Sequence, residues 1–408
     1  MAGKNIAKRL ADLLIDLFNA YYSARSNKRN TYNALKFELY YEHNLIELCN
    51  EIINFRYEPR PSICFIVNKP VKREVFAADF RDRIIHHLIF NYISPVFEKR
   101  FINDTYSCRK GKGTHYGIQR VNHFIRSCSE NYHNDCYILK MDIQGYFMSI
   151  DRSLLYEMVS RVIIKNSEKI TGDINFSNAA SRCGTILYLI RQTIFNDPVK
   201  GCIIKSKMSE WKGLPHSKSL FYAGKNQGLP IGNLTSQLFA NIYLDEFDHF
   251  MKQQLKLKYY GRYVDDIVVV HPDQNYLKTV IPAVREYLKT KLMLQLHPRK
   301  IYLQHYTKGV VFLGAAIKPH RIYIANRTKG NFYAAILRQN EIVGNHKPTK
   351  DDKAAFISSM NSYLGIMRHY KSYKLRKKMV FEVLSCWWFN YVYFRGGIRK
   401  FVLMQKYK

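Results

Sequence analysis

The chain has 408 residues, and its 64 Lys and Arg outnumber its 32 Asp and Glu, which gives a formal net charge of +32 at pH 7. Charge on this scale favours a polyanionic partner, although ribosomal and membrane-surface proteins carry it too. Apolar residues make up 47% of the chain and aromatic residues 14%, a composition that excludes a disordered basic tail and predicts a folded core.

The cysteines and the apolar residues indicate the environment that we expect for the protein. None of the 8 cysteines belongs to a Cys-x-x-Cys pair or clusters with histidines as in a zinc site. We find no signal-peptide block and no stretch of apolar residues long enough to cross a membrane. We therefore expect reduced thiols, a cytoplasmic location and no membrane contact.

Hydrophobic periodicity predicts both helices and strands along the chain. Helices are predicted over residues 7–26, 33–54, 83–95 (capped by Asp82), 115–127, 154–164, 234–254 and 275–292. Strands are predicted over residues 63–67, 74–78 and 137–142, as a hairpin over 261–270, and as two further strands within 309–324. Residues 165–227 are predicted to be irregular, and the tail from residue 330 to be helical and basic. This pattern predicts an α+β fold.

The segment Tyr263-Val264-Asp265-Asp266 places two adjacent carboxylates inside an apolar, β-branched run. Two ionised aspartates in such a place raise the free energy of the fold unless positive charge meets them. The other Asp-Asp pair, Asp351-Asp352, lies in a polar segment and needs no such partner. The contrast indicates a functional site at residues 265 and 266 and a solvated turn at residues 351 and 352.

A third carboxylate, Asp142, ends the apolar strand predicted over residues 137–142. If the two strands pair, Asp142, Asp265 and Asp266 converge at one edge of a sheet. That arrangement can hold two Mg²⁺ ions, roughly 3.5–4 Å apart, for in-line nucleotidyl transfer. One ion would lower the pKa of an attacking 3′-hydroxyl, and the other would neutralise the leaving pyrophosphate. The competing interpretation is a turn aspartate beside an unrelated strand end.

Seven segments occur in the order found in reverse transcriptases, and together they resemble that family over residues 35–380. These segments are Lys72–Arg83, Tyr106–Thr114, Asp142–Phe147, Gly228–Gln237, Tyr263–Asp266, Leu296–Lys300 and Val311–Gly314. The resemblance implies a right-hand polymerase fold with fingers, a palm built on an antiparallel sheet, and a helical thumb. It implies an RNA-directed DNA polymerase that uses two Mg²⁺ ions, for which Mn²⁺ can substitute. Its partners would be an RNA template, a DNA or RNA primer, and dNTPs.

The same resemblance suggests domain boundaries. We assign residues 1–114 to fingers with N-terminal helices, and residues 115–164 and 233–324 to the two parts of the palm. Residues 165–232 form an insertion that returns to the fingers, and residues 325–408 form a basic helical thumb. Residues 338–408 hold fifteen Lys and Arg against four Asp and Glu, a local charge of +11.

The nucleotide-pocket segment separates subfamilies. Retroviral and group II intron enzymes usually carry Gln-Gly-x-x-x-Ser-Pro there, whereas this chain has Ile231-Gly232 followed by Ser236-Gln237. That pattern resembles the reverse transcriptases of diversity-generating retroelements, as do Lys218–Phe221 and Asn361–Gly365. The alternatives are a group II intron-like or retron-like reverse transcriptase of ordinary fidelity, or a non-catalytic nucleic-acid-binding scaffold of the same fold.

Membership of the retroelement group implies a particular biology. The enzyme would make error-prone cDNA, mutagenised at adenines, from a template-repeat RNA, and this cDNA would diversify a target gene by mutagenic retrohoming. A small basic accessory variability protein would be a partner. The gene would be bacterial, archaeal or phage-encoded.

The resemblance also assigns the reaction chemistry to individual residues. Asp142, Asp265 and Asp266 would be catalytic and, with Ile143, would hold the metal ions. Lys300 is a candidate general acid for pyrophosphate departure.

Further residues are assigned to substrate binding. Arg73 and Arg109 would clamp the triphosphate, unless they form an ordinary solvated face. Phe147 would collide with a 2′-hydroxyl, or would simply pack in the palm. The nucleotide pocket would also include Ile231, Gly232 and Gln237, where Gly232 allows close approach of the backbone or only makes a turn. Template and primer would meet Tyr263, Lys374, Arg376 and Lys377.

Overall fold

The computed structural model describes residues 2–26, 31–68, 71–171 and 181–407. Its α-helices are α1 (Ala2–Arg25), α2 (Tyr32–Glu38), α3 (Tyr41–Ile53), α4 (Phe80–Arg100), α5 (Thr114–Cys128), α6 (Tyr146–Ser149), α7 (Arg152–Lys165), α8 (Ser167–Thr171), α9 (Arg182–Phe195), α10 (Leu234–Tyr243), α11 (Asp245–His249), α12 (Gln274–Leu292), α13 (Asn326–Asn345), α14 (Lys350–Met367) and α15 (Tyr373–Lys378). Among these described helices, none has the length and apolar character needed to cross a bilayer.

The strands are short, and 3₁₀ or π turns join several of the elements. They are β1 (Ile63–Val67), β2 (Arg73–Ala77), β3 (Tyr137–Asp142), β4 (Ile203–Ile204), β5 (Tyr259–Tyr263), β6 (Asp266–His271), β7 (Tyr302–His305), β8 (Val310–Phe312), β9 (Ala315–Lys318), β10 (Arg321–Ile324), β11 (Val392–Arg395) and β12 (Lys400–Leu403). The chain divides into two compact units. The first comprises Met1–Gly113, Lys140–Val268 and Asn275–Ile301, and the second comprises Thr114–Leu139, Val269–Gln274 and Tyr302–Lys408.

In the first unit, a small sheet and a buried helix lie next to each other in sequence. Strand β1 pairs with β2 in antiparallel register and with β4 in parallel register. Helix α4 begins where the Asp79 side chain accepts a hydrogen bond from the Arg81 backbone N–H at 3.1 Å. It buries residues on most of its surface and packs against α1 and α10. Helix α4 is therefore a central support of this unit.

Strands β5, β6, β3 and β7 form a second sheet in that order. The inner strands β6 and β3 carry apolar residues on both faces, and Ile138, Leu139, Met141 and Ile267 are each 0% exposed. Strands covered on both faces are expected to read as continuous apolar runs. Asp142 is the last residue of β3 and Asp266 is the first residue of β6, so both polar residues stand where buried strands end.

The second unit has its own apolar core, in which Phe332, Phe356, Leu364, Trp388 and Phe401 are each 0% exposed. The rings of Phe356 and Trp388 stack with centroids 4.1 Å apart, and the Trp388 indole N–H donates to the Gln339 carbonyl at 2.9 Å. Helices α13 and α14 supply much of this core, and the hairpin of β11 and β12 packs on α14. Strands β8, β9 and β10 form a separate antiparallel sheet in the same unit.

Four sequence-based predictions of local structure are wrong. Residues 182–195, predicted to be irregular, form α9, because Ser181 caps the helix and apolar residues recur at helical spacing. The tail is helical only in part, since residues 392–403 form a hairpin around Gly396 and Gly397, whose φ angles are +71° and +68°. Asp82 does not cap α4, because Asp79 does, and the predicted helix over residues 33–54 is broken between α2 and α3.

Candidate active site

The β5–β6 hairpin turns through Val264 and Asp265 alone. Val264 has φ of +54°, in the left-handed region where a β-branched residue is strained. The Arg262 guanidinium donates to the Val264 carbonyl at 2.8 Å. This bond braces the turn from which the Asp265 and Asp266 carboxylates project.

Arg262 is itself held by a buried carboxylate, Asp248 of α11. Both side chains are 0% exposed, and the two bonds of the pair measure 2.7 and 2.6 Å. Asp248 also accepts from the Tyr260 hydroxyl at 2.5 Å and from the Thr105 hydroxyl at 3.0 Å. Removing one member of such a pair leaves an uncompensated buried charge, which costs about 3–5 kcal/mol. The buried Asp248–Arg262 ion pair therefore stabilises the turn, and we call it the electrostatic support of the hairpin.

Sequence reasoning missed both members of this support. The available signal was a charged residue, Arg262, inside the otherwise uncharged strand Tyr259–Tyr263. A charge in that position requires a buried partner of opposite sign. No pattern in the sequence, however, says which of the nearby acidic residues of α11 points inward.

The first carboxylate is positioned by backbone pairing. The His297 N–H donates to the Asp142 carbonyl at 2.8 Å, and Ile143 forms a bridge with Leu296. The same pairing carries Lys300 to the site, where its ammonium lies 2.5 Å from Asp142 Oδ2. The Lys300 side chain remains 52% exposed, so it is open to solvent as well as to the carboxylate.

Lys140 supplies a second ammonium group. It stands two residues before Asp142 on β3, hence on the same face of the strand, and lies 3.0 Å from Asp266 Oδ1. Asp142 and Asp266 are thus each paired with a lysine. These contacts provide the positive charge that the sequence requires for carboxylates in this position.

Asp265 has a strongly perturbed acidity. Burial raises the pKa of this carboxyl to about 7, the neighbouring charges of Asp142 and Asp266 contribute to the rise, and Lys300 opposes them. A carboxylate among other carboxylates resists ionisation unless a cation stabilises the charged form. The three aspartates therefore form a concentrated negative site.

The donor set fits a hard divalent cation. Within residues 2–26, 31–68, 71–171 and 181–407, no three His, Cys, Asp or Glu side chains stand close enough to hold a metal as they are placed. Carboxylate and carbonyl oxygens are nevertheless the ligands that Mg²⁺ prefers. Asp142, Asp265 and Asp266 supply carboxylates, and Ile143, whose side chain is buried, has only its carbonyl to offer. When a metal ion binds, it would replace Lys300 and Lys140 as the positive partners of Asp142 and Asp266.

Phe147 and Ile231 are brought together beside one apolar cluster, which consists of Cys64, Phe76, Met148 and Leu220. The Leu229 N–H donates to the Phe147 carbonyl at 2.8 Å, and the Phe76 N–H donates to the Ile231 carbonyl at 2.9 Å. These bonds join the segment after β3, the segment before α10 and strand β2. We call this apolar group with Phe147 and Ile231 the pocket cluster.

Position 232 requires a glycine for two reasons, the close approach of strand β2 and the backbone conformation of the residue. Its φ is +125°, and a Cβ there would lie 2.8 Å from Val75 Cγ1 and 3.2 Å from the Phe76 carbonyl oxygen. A side chain would push the 231–232 segment away from β2. Arg73 on β2 and Gln237 on α10 are both exposed.

Arg109 has a different environment from Arg73. Its side chain is 6% exposed, and its guanidinium donates to Glu98 Oε2 at 2.8 Å. It also donates to the carbonyls of Ile102 and Thr105, at 2.7 and 3.2 Å. These contacts compensate the charge of Arg109 inside the protein, so a structural role is sufficient to explain an arginine at this position. A role on the triphosphate stays a prediction and would require these bonds to break.

The residues predicted to meet template and primer fall in both units. Tyr263 is partly buried at the end of β5. Lys374 and Lys377 of α15 are exposed, whereas Arg376 is partly buried and donates to the Ile398 carbonyl at 2.7 Å. The two lysines are therefore available to an anionic partner, and Arg376 has a structural contact already.

Comparisons with known proteins bear on this site. Residues 70–317, more than half of the chain, match the model of the reverse transcriptase (RNA-dependent DNA polymerase) family. Protein YkfC of Escherichia coli strain K12 is 22% identical over an alignment of 306 residues, and the match covers 65% of this chain and 69% of that protein. Nuclear intron maturase 1, mitochondrial, of Arabidopsis thaliana is 23% identical over an alignment of 208 residues, and the match covers 46% of this chain and 28% of that protein.

Solved structures of telomerase are also similar. Apo telomerase from Candida tropicalis, truncated from its C-terminal domain, has a TM-score of 0.45 at 13% identity, over 68% of this chain and 59% of that chain. Telomerase from Candida albicans with a fragment of telomeric RNA has a TM-score of 0.45 at 11% identity, over 81% of this chain and 60% of that chain. This chain thus spans about 60% of the length of those structures.

The family match includes the strand that ends in Asp142, the Asp265-Asp266 hairpin and the segment that carries Lys300. The predicted mixed α and β fold of the right-hand polymerase type is confirmed. The chain belongs to the reverse transcriptase family.

Proposed function

We propose that this chain is an active RNA-directed DNA polymerase that extends a primer on an RNA template by two-metal-ion nucleotidyl transfer. The observation that carries the proposal is the convergence of Asp142 with Asp265 and Asp266 at the ends of neighbouring strands, where burial and then the adjacent carboxylates raise the pKa of Asp265. A scaffold without catalysis would be more stable with neutral residues in these positions. Family membership supports the same reaction class.

The residues of the site have distinct roles in this proposal. Asp142, Asp265 and Asp266, with the Ile143 carbonyl, would hold Mg²⁺ or Mn²⁺. When bound, the ions supply Lewis acidity for the 3′-hydroxyl and charge compensation for pyrophosphate. Lys300 keeps an exposed ammonium beside Asp142 and can deliver a proton to the departing pyrophosphate.

The walls of the pocket give the chain its substrate preference. Phe147 would stand under the sugar and exclude a 2′-hydroxyl, with Gly232 allowing the backbone to come close. Arg73, exposed on β2, and Gln237, exposed on α10, would contact the nucleotide from the two sides of that segment. Tyr263, adjoining the metal hairpin, would contact the primer terminus.

We further propose that the enzyme belongs to a diversity-generating retroelement and copies a template-repeat RNA with errors at adenines. Ile231 supports this, because an aliphatic side chain cannot hydrogen-bond the incoming nucleotide. Such a hydrogen bond is worth about 1 kcal/mol, or several-fold to tenfold in discrimination. The adenine preference itself comes from the sequence resemblance, and the missing bond to the sugar does not explain it. A small basic accessory protein and a cytoplasmic location complete the proposal.

Primer extension on a defined RNA tests the polymerase proposal. Wild-type protein with dNTPs and Mg²⁺ is expected to extend a DNA primer, and EDTA or Asp142→Asn is expected to stop extension. Asp142→Asn should still bind the template–primer, because the substitution removes only the charge that holds the metal. Binding without extension by the wild-type protein, in either metal and with added accessory protein, would favour the scaffold.

Sequencing of the cDNA tests the retroelement proposal separately. Wild-type cDNA is expected to carry errors concentrated opposite template adenines, and Ile231→Gln or Ile231→Asn is expected to reduce them. Ile231→Val is the matched control, since it keeps an apolar side chain and should keep the errors. Low and equal error at all four template bases in wild type would leave an ordinary group II intron-like or retron-like enzyme.

A further inference from the structure

A buried glutamate on β2 has no part in the metal chemistry of the aspartates. Glu74 is 0% exposed and follows Arg73 in the strand. Its carboxylate accepts three hydrogen bonds of 2.7 Å each, from the Trp211 indole N–H, the Ser219 hydroxyl and the Leu220 backbone N–H. All three donors belong to residues 206–222, a segment that we call the strap. Glu74 is thus the latch between β2 and the strap.

The strap is also tied to the β1–β2 hairpin at other points. The Ile66 N–H donates to the Ser206 hydroxyl at 3.0 Å, and the Lys72 ammonium donates to the Lys212 carbonyl at 2.8 Å. The Lys72 bond is exposed and the Ile66 bond is partly buried, whereas Glu74 is 0% exposed. The carboxylate therefore carries the part of the attachment that water cannot replace.

The inner side of the strap reaches the pocket cluster. Leu220, whose N–H is bound by Glu74, is 6% exposed and is one of the buried members of that cluster. Trp211 packs against the same cluster, as do Phe147 and Ile231. The residue that the latch holds is consequently in the same apolar group as the two residues that would set sugar and base discrimination.

The strap approaches the palm at a second place. A Cβ on Gly145 would lie 2.6 Å from the Ser217 carbonyl oxygen, and Gly145 has φ of +56°. Gly145 stands between Asp142 and Phe147, at the start of α6. The strap therefore contacts the pocket from the palm side through Ser217 and from the β2 side through Glu74.

We propose that Glu74 is a positioning residue that determines nucleotide specificity, because its latch on the strap fixes Phe147 and Ile231 relative to the incoming dNTP. The inference rests on the proposed polymerase function and adds a determinant of its substrate choice. Loss of the latch leaves Leu220 free to shift, which loosens the pocket cluster. The metal-binding aspartates are held separately by β3 and by Arg262, so the chemical step keeps its support.

Steady-state insertion kinetics of Glu74→Gln and Trp211→Phe test the proposal. Trp211→Phe keeps an aromatic ring and removes only one of the three bonds, so it serves if Glu74→Gln fails to fold. Matched controls are Glu382→Gln and Trp387→Phe, since Glu382 is exposed and Trp387 is 64% exposed. Each variant is measured for KM and kcat with dNTPs, for rNTP against dNTP insertion, and for affinity to the template–primer.

We expect Glu74→Gln to raise KM for dNTPs about tenfold and Trp211→Phe about threefold, in line with the loss of buried hydrogen bonds. Both should raise the relative rate of rNTP insertion, while kcat and template–primer affinity should change by less than about twofold. Variants that are less stable yet keep wild-type KM and sugar selectivity would overturn the latch proposal alone. A wild-type protein that extends no primer would overturn both proposals.

Discussion

Two Asp-Asp pairs in this chain have opposite environments. Asp265-Asp266 projects from a strained hairpin turn, and the pKa of Asp265 is raised to about 7 by burial and by nearby carboxylates. Asp351-Asp352 lies in the first turn of α14, where hydrogen bonds from the Thr349 hydroxyl and N–H lower the pKa of Asp352. The same dipeptide is therefore opposed by its surroundings in one place and stabilised by them in the other.

The difference teaches what distinguishes a functional carboxylate from a structural one. A helix start offers unpaired N–H groups, and Asp352 with Thr349 forms a reciprocal cap there. The hairpin turn offers other carboxylates and two lysines, so its charge is compensated only in part. A site that holds excess negative charge has a place for a cation, whereas a capping site is already satisfied.

The largest expected effect is on catalysis. Asp265→Asn should lower the rate of primer extension by about 10²–10³-fold or more, because loss of metal charge stabilisation costs several kcal/mol. Asp351→Asn, its matched control at an exposed position, should leave the rate within about twofold. Single-turnover extension on an RNA template measures both. Equal rates of primer extension in the two variants would contradict the functional difference between the two Asp-Asp pairs.

The supports of the two pairs should differ in their contribution to stability. Asp248→Asn removes a charge from the buried Arg262 pair and should lower the free energy of unfolding by about 3–5 kcal/mol. Thr349→Ala removes a helix cap and should lower it by about 0.5–2 kcal/mol. Urea unfolding, with separate probes for the two units, measures each. An effect of Asp248→Asn no larger than that of the cap would contradict a buried brace under the hairpin.

The two pairs should also give opposite stability changes with pH in metal-free protein. Asp265 has a raised folded pKa, so the native state binds more protons than the unfolded state between about 4 and 7, and stability falls as pH rises through that window. Asp265→Asn should therefore raise the melting temperature at pH 8. Asp352 has a lowered pKa, so its contribution is present at neutral pH and is lost as pH falls through its folded pKa.

Asp352→Asn is accordingly expected to lower the melting temperature at pH 8. Both differences should shrink as the pH is lowered and the carboxyls become protonated in both states. Thermal melts of metal-free protein in EDTA, recorded at a series of pH values from 8 downward, measure these differences in melting temperature. The same sign of change for the two variants at pH 8 would contradict the opposite electrostatics of the pairs.

The smallest expected effect concerns exposed charge. Lys374 and Lys377 of α15 are exposed and lie outside the aspartate site, where Lys140 and Lys300 are each paired with a carboxylate. Replacing both with Gln should flatten the dependence of log affinity for template–primer on log salt by roughly 0.7–0.9 for each phosphate that is no longer neutralised. Binding titrations at several salt concentrations measure the slope. Arg376→Gln should change the slope less, because Arg376 is already bonded to the Ile398 carbonyl.

The sequence allowed the triad to be predicted because each aspartate ends or interrupts a buried apolar strand, and a continuous apolar run can be recognised from the local sequence. It also allowed β3, α7, α10, the β5–β6 hairpin and α12 to be predicted in their order along the chain. Asp248, Glu74 and Arg262 act through partners that no local pattern encodes, because the pairing is set by the tertiary fold. Helix α9 was missed because its apolar spacing lies in a segment interrupted by polar and turn-forming residues.

The hairpin of β11 and β12 was missed for a related reason. Its Gly396-Gly397 turn and its Val, Tyr and Phe residues are local signals for a hairpin, but the segment was assigned with the rest of the basic tail from residue 330, which was predicted to be helical. Residues 182–195 and 392–403 together indicate that tertiary burial, rather than propensity, decides such short elements. The assignment of the domains by residue range stays a prediction.

Metal binding tests the central claim most directly. Mn²⁺ titration of the full chain with template–primer, followed by electron paramagnetic resonance, reports affinity without requiring turnover. We predict that wild type and Asp351→Asn bind Mn²⁺ with equal affinity. Loss of a residue that only supports a metal ligand weakens metal binding by roughly 10–100-fold, so Asp265→Asn, which removes a ligand itself, should weaken Mn²⁺ binding by at least that factor. Equal Mn²⁺ affinity in wild type and Asp265→Asn would contradict the assignment of the hairpin pair as the metal site.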